Sequence, residues 1–222
     1  MDRRHFTRIC SSLVVAAGAS RSLPLSAAQQ YARSTLYIDA QTPLHAAELA
    51  VGKPYVFFYP YVTTPCFLIH LGERETNANN ASPIVAFSAI CSHKMSHPAK
   101  EISFINYRHD EIEFSSHEGK TEKRSKVISC CSERSVYDPT DNATVLGGPA
   151  PQPLARIELE HNRDTDQLTA TGSTGANMYD KFFEKFGFRA QLEHKVADVK
   201  APSPERLTVQ LIEDYSRQTI MC

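Results

Sequence analysis

"CCSERSVYDP", residues 130–139, follows a short apolar run, "VIS" at 127–129, and places two adjacent thiols at its end. Earlier in the chain a second apolar run, "IVAFSAI" at 84–90, ends on Cys91-Ser92-His93. Both runs are rich in residues that suit buried strands. Each therefore delivers a chemically soft tip to the end of a strand. Thiolates favour iron–sulfur or zinc centres, and imidazole is compatible with both. Two such loops can clamp a metal centre between them.

The surrounding residues narrow the choice. "IVAFSAICSHKM", 84–95, resembles the first cluster loop of Rieske iron–sulfur proteins, Cys-x-His after an apolar strand. "CCSERSVYD", 130–138, is similar to the second loop, Cys-x-x-His followed by Gly-Ser-x-Tyr/Phe-Asp. "GGPAPQPLARIEL", 147–159, resembles the proline loop over the cluster and the strand after it, and "TTPCFLIHL", 63–71, an early strand of the same domain. The resemblance runs in the correct order over about residues 50–172. Cys-x-His alone is a weak signal; together with Ser-x-Tyr-Asp and Gly-Pro-Ala-Pro it is specific. It is to the electron-transfer type found in cytochrome bc complexes and in the small subunit of arsenite oxidase.

The resemblance implies a [2Fe–2S] cluster with two cysteines on one iron and two histidines on the other. Cys91 matches the first cysteine ligand and His93 the first histidine ligand. Ser135 matches the serine that bonds a cluster sulfide, and Tyr137 the tyrosine that bonds a ligand cysteine sulfur. Both bonds favour the reduced, more negative cluster. Pro149 and Pro151 match the loop that excludes water.

The second loop departs from the pattern. Counting back from Ser135 without a gap makes Cys130 the ligand and puts Glu133 in the histidine slot. A shift by one residue makes Cys131 the ligand and puts Arg134 there. The shifted register keeps the Cys-x-x spacing, loses the glycine before the serine, and is the one preferred. A carboxylate binds iron well, whereas a guanidinium stays protonated and is a poor ligand. The family's usual loop-to-loop disulfide has no cysteine in the first loop, where its position falls at Met95 or Ser96. His97 and His117 are spare imidazoles that could complete the shell; otherwise they are exposed loop residues. A closed zinc shell from Cys91, His93, Cys130 and Cys131 is a further alternative. Cys66 is expected as a buried thiol and Cys222 as a tail thiol, with a disulfide between them as the other option.

The chain has 222 residues and a formal charge of −1, which argues against a nucleic-acid partner. At its start, Arg3-Arg4-x-Phe6 precedes a short apolar stretch, Ile9 to Ala19, and then Ser26-Ala27-Ala28. This reads as a twin-arginine export signal over residues 1–28, or as an anchor if uncleaved. Of six cysteines, Cys10 lies in that stretch, leaving five; an odd count in an oxidising compartment points to metal ligation or a free thiol.

The rest reads as β structure with shaped loops. "STLYIDA" and the run 53–71, broken by Pro60 and Pro65, supply strands, as do "ARIELEHN" and "QLTATG" around the turn "RDTD". "EISFINYR" and "EIEFSS" alternate as a hairpin, and 117–126 reads as a charged loop, so about 99–126 looks like an insertion. "NMYDKFFEKFGF", 177–188, carries Met178, Phe182, Phe183 and Phe186 at helical spacing, for a helix packed on the sheet. "PERLTVQLIEDYS" is a strand or short helix. The expected fold is all-β: a Rieske-type antiparallel β sandwich over 29–173 with a small cluster-binding subdomain, and a C-terminal helix and tail over 174–222.

The function implied is periplasmic electron transfer, one electron at a time, to or from a cytochrome, quinol or larger redox subunit, within a membrane complex or serving a partner oxidoreductase. The protein itself would transform no substrate. The alternative is a Rieske-fold docking subunit without a cluster. A Rieske oxygenase component is the less favoured third reading, since the 50 residues after 172 are too few for a catalytic iron domain.

Overall fold

The computed structural model describes residues 28–72 and 82–222. The expected export signal, up to residue 27, and residues 73–81 lie outside the described residues. Along the chain the strands are β1 (Gln29–Tyr37), β2 (Pro54–Phe58), β3 (Pro65–His70), β4 (Ile84–Ser88), β5 (Ile105–Arg108), β6 (Ile112–Ser115) and β7 (Thr121–Arg124). There follow β8 (Val127–Cys130), β9 (Ser135–Asp138), β10 (Thr144–Gly147), β11 (Arg156–Asn162) and β12 (Gln167–Thr174). The C-terminal part contains helix α1 (Tyr179–His194), β13 (Arg206–Thr208), β14 (Gln210–Leu211) and the short helix α2 (Ile212–Tyr215).

The fold is mainly antiparallel β, as expected. One sheet of eight strands has the order β13-β1-β12-β11-β4-β3-β2-β14, and a second of four has the order β10-β9-β8-β5. Among the described strands the β1–β13 pairing in the large sheet is parallel and the other strand pairings are antiparallel.

Alternation explains why β2, β3 and β4 are apolar on both faces. Val56, Phe67, Ile69, Val85 and Phe87 face the small sheet, meeting Ile105, Tyr107, Ile128 and Tyr137. Phe57, Cys66, Leu68, Ile84 and Ala86 face the opposite way, meeting Leu36, Ile157, Leu168 and Ala170 from the other half of the same sheet. The large sheet thus packs on itself while its middle strands also carry the small sheet.

The hairpin in the insertion forms with different partners from those expected. β5 belongs to the small sheet, paired with β8, and β6 pairs with β7, which occupies part of the expected charged loop. The reason lies in the pattern of β6: Ile112 and Phe114 turn inward onto Val127 and Val136, whereas every residue of β7 is exposed. The β6–β7 hairpin therefore covers the outer face of the small sheet. Arg124 ties it down through an ion pair to the buried carboxylate of Asp138.

The aromatic helix extends further than its pattern suggested, to His194, where Lys195 ends it in a left-handed conformation. Its buried face, Tyr179, Phe182 and Phe183, packs with Ile90 just before Cys91. Among the described residues no helix is long and apolar enough to cross a membrane.

Candidate metal centre

The first loop is a closed turn. Cys91 N–H donates to Ser96 O and Met95 N–H to Cys91 O, both at 2.9 Å, and Met95 takes a left-handed φ of 62°. The second loop spans the β8–β9 hairpin, where Cys130 pairs with Ser135 and Ile128 with Tyr137. Cross-strand partners point to one face of a sheet. Cys130, Ser135 and Tyr137 therefore share the face that looks into the core and at Cys91.

That face has the character of a ligand site. Cys91 and Cys130 are free, fully buried thiols, and the Cys130 thiol hydrogen-bonds the Cys91 sulfur. Tyr137 Oη lies 3.2 Å from Cys91 Sγ and 3.3 Å from Ser92 Oγ, and accepts the Ser92 N–H at 3.2 Å. The bond from Cys130 shifts the Cys91 thiol pKa down against the effect of burial, assisted by Tyr137 and the N–H groups of His93 and Lys94. Its partner Cys130 is pushed up, by that same shared bond and then by burial. Burial, followed by the Cys91 charge, likewise raises the Tyr137 phenol and keeps it a donor.

The proline loop closes over this pair. Ser92 Oγ–H donates to Gln152 O at 2.7 Å. Gly148 has a φ of +83°, and a Cβ there would stand 2.3 Å from Arg134 O, so the loop's approach to the second loop requires glycine. Ala150 and Leu154 are buried in the contact, while Pro149 and Pro151 face outward and shape the loop from outside.

The register of the second loop differs from the one preferred on sequence. Cys131 is disulfide-bonded to Cys222, so its sulfur is committed. Arg134 is exposed and left-handed, φ 57°, occupying the backbone conformation that the missing glycine would have held. The ungapped register brings Cys130 and Glu133 to the site instead. Glu133 Oε2 is 3.6 Å from His93 Nδ1, and Glu133 Oε1 is 3.2 Å from Lys94 Nζ. The Cys131–Cys222 bond also removes the zinc shell that required Cys131, and the tail thiol expected at Cys222. Cys66 is the buried thiol expected; burial pushes its pKa far up.

The spare imidazoles have other places. His97 is half-buried rather than exposed: its Nδ1 meets Met95 O at 2.8 Å, and its ring packs against Phe182 and Phe186. His117 is exposed on the β6–β7 hairpin. With Ile112, Phe114, Pro149, Glu133 and Arg134 it lines a cavity of about 570 Å³.

Two orphaned atoms test whether the residues fit a cluster. His93 Nδ1 and Ser135 Oγ are buried side-chain atoms without a hydrogen-bond partner. Such atoms are costly unless something binds them. At 3.6 Å the Glu133 contact is too long to satisfy His93. Among the described residues no three His, Cys, Asp or Glu side chains converge on one metal ion. A two-iron cluster takes its ligands two per iron. The arrangement here is of that kind: a thiol pair, Cys91 and Cys130, and an imidazole–carboxylate pair, His93 and Glu133. The residues fit such a group, with a carboxylate where the resemblance implied a second histidine.

Sequence reasoning missed Ser92, Ser96, Lys94 and Gln152. Ser96 hydrogen-bonds Cys130 across the two loops. A small polar residue beside each ligand was the available signal, but serines are common in loops and their partners are distant in sequence.

No family model matches the chain. Among solved structures, the soluble domain of the Rieske protein II (soxF) from Sulfolobus acidocaldarius is similar at 22% identity, over 64% of this chain and 78% of that chain, with a TM-score of 0.43.

Proposed function

We propose that the protein is a single-electron carrier holding a Rieske-type [2Fe–2S] cluster, with Cys91 and Cys130 as ligands to one iron and His93 and Glu133 to the other. The observation that carries this reading is the pairing of buried free thiols with two orphaned polar atoms, His93 Nδ1 and Ser135 Oγ, at the same pair of loops. When bound, the cluster would supply reversible one-electron chemistry, in a family whose potentials span about −150 to +300 mV.

The chain's own residues would bind and tune it. Tyr137 donates to the Cys91 sulfur and Ser135 offers a second donor, both of which favour the reduced state. The Glu133 carboxylate adds a negative charge that works the other way. The proline loop, held by Ser92 and Gly148, excludes water from the thiol side. His93 is partly exposed, with 30% of its side chain accessible, and would be the edge through which a partner cytochrome, quinol or larger redox subunit exchanges the electron. Export by the twin-arginine route to the periplasm, free or within a membrane complex, belongs to the same proposal and rests on the N-terminal sequence alone.

A specific contact supports the second reading, a docking subunit without a cluster: the Glu133 carboxylate already has a cationic partner in Lys94. Iron and sulfide analysis of the exported protein, with low-temperature EPR before and after dithionite, separates the two. About two irons per chain and a reduced-state signal establish the carrier. Iron-free, EPR-silent protein overturns it in favour of the docking subunit.

A further inference from the structure

The two loops are not linked to each other covalently, yet each is fastened to the chain after residue 174. The segment behind the first loop lies against α1. Lys185 Nζ donates to Lys94 O, Phe182 and Phe186 flank His97, and Glu193 Oε1 accepts from Lys100 N–H. The second loop is held by the tail. Arg217 N–H donates to Lys100 O and Ser103 N–H to Gln218 O, and Ile220 N–H returns to Ser103 O. Asn106 Nδ2 and Arg108 then donate to the carbonyls of Ile220 and Cys222. The strap ends in the disulfide to Cys131, two residues before Glu133, and Cys131 N–H donates to Phe104 O on the segment the strap covers.

We propose that this strap is a positioning device for the second loop: residues 217–222, closed by Cys131–Cys222, hold Glu133 opposite His93. The proposal rests on the reading of Glu133 as a site residue. It assigns Cys131 and Cys222 a task that a loop-to-loop crosslink would otherwise perform. Glycine is absent from the loop itself, and Arg134 holds the left-handed turn at a steric cost. An anchor beyond the hairpin's own two bridging strands therefore has a clear physical use. The lock is reversible in principle. A dithiol breaks the S–S bond by giving two electrons and two protons to Cys131 and Cys222, and itself closes to a disulfide.

The test compares the full chain with a Cys131→Ser/Cys222→Ser double variant by hydrogen exchange and EPR. Positioning predicts that exchange at 131–134 rises about tenfold or more while β3 and β4 stay protected. In iron-loaded protein it also predicts shifted g-values, because Glu133 moves relative to His93. Unchanged exchange at 131–134 overturns the proposal. So does faster exchange with an unaltered EPR signal, which would make the strap a purely structural tie. Should the double variant fail to fold, wild-type protein reduced by dithiothreitol under native conditions gives both readouts. Iron-free wild type would refute the cluster while the exchange comparison still decides the strap.

Discussion

Glu133 lies between two residues of the opposite loop, His93 Nδ1 at 3.6 Å and Lys94 Nζ at 3.2 Å. The Lys94 side chain is 58% exposed. A solvated pair of this kind is worth only ~0.2–1 kcal/mol, which a metal bond exceeds easily. The carboxylate is therefore available to iron in spite of its cationic neighbour. With the proposed cluster bound, Glu133→Ala should leave far-UV dichroism intact and remove most of the iron. Glu133→His should retain about two irons per chain and raise the midpoint potential by on the order of 100 mV, since a neutral imidazole replaces an anion. Iron analysis and redox titration check both; full iron loading in Glu133→Ala would exclude the carboxylate as a ligand.

Tyr137→Phe removes one hydroxyl and leaves the buried Ser92 N–H without its acceptor. The expected cost is about 1–3 kcal/mol, read as a lower urea midpoint at constant slope. In the iron-loaded protein the potential should fall as well, because the bond to the Cys91 sulfur is lost. An unchanged urea midpoint would mean that another group reaches Ser92.

Gly148→Ala places a methyl group 2.3 Å from Arg134 O in a backbone with φ +83°. Either the proline loop or the second loop must give way, at roughly 2 kcal/mol or more. Thermal unfolding measures the loss. Gly119→Ala, with nothing near its Cβ but a similar φ of +73°, is the control for backbone strain alone.

Acid should weaken the docking of α1. Burial lowers the pKa of His97 and of His194, which packs on Phe58. The unfolded chain then takes up these protons first, near pH 6.5. Their stabilising contribution is complete above that pH and is lost as the pH falls through it towards the lower folded values. The urea midpoint should therefore drop between pH 7.5 and 5.5, and the drop should be smaller in His97→Gln/His194→Gln. Parallel slopes in the two proteins would assign the acid sensitivity elsewhere.

Much of the fold was legible because β2, β3, β4 and β8 are short, apolar and bounded by proline, glycine or cysteine. The insertion was harder. "EISFINYR" and "EIEFSS" both alternate, and alternation alone does not say which strand is the neighbour; β5 found β8 and β6 found β7. At the site, motif order picked out Cys91, His93, Ser135 and Tyr137, and the geometry gathers their loops. The register of the second loop was not legible, because Cys130-x-x-Glu133 and Cys131-x-x-Arg134 have the same spacing. What sets them apart lies in the structure: Cys131 is taken by its disulfide, and Arg134, in the place of the glycine, holds the left-handed conformation a glycine would hold. The commitment of Cys131 was invisible, since its partner stands 91 residues away.

That separation has a consequence for how the protein is made. Cys222 leaves the ribosome 91 residues after Cys131. At roughly 5–20 residues per second the delay is on the order of ten seconds. Throughout it, Cys66, Cys91, Cys130 and Cys131 coexist as thiols, each an alternative partner for the others. The bond to Cys222 removes Cys131 from that set and leaves Cys91 and Cys130 as the free thiols at the two loops. The Cys131–Cys222 bond thus depends on a segment far along the sequence from the loop it fastens.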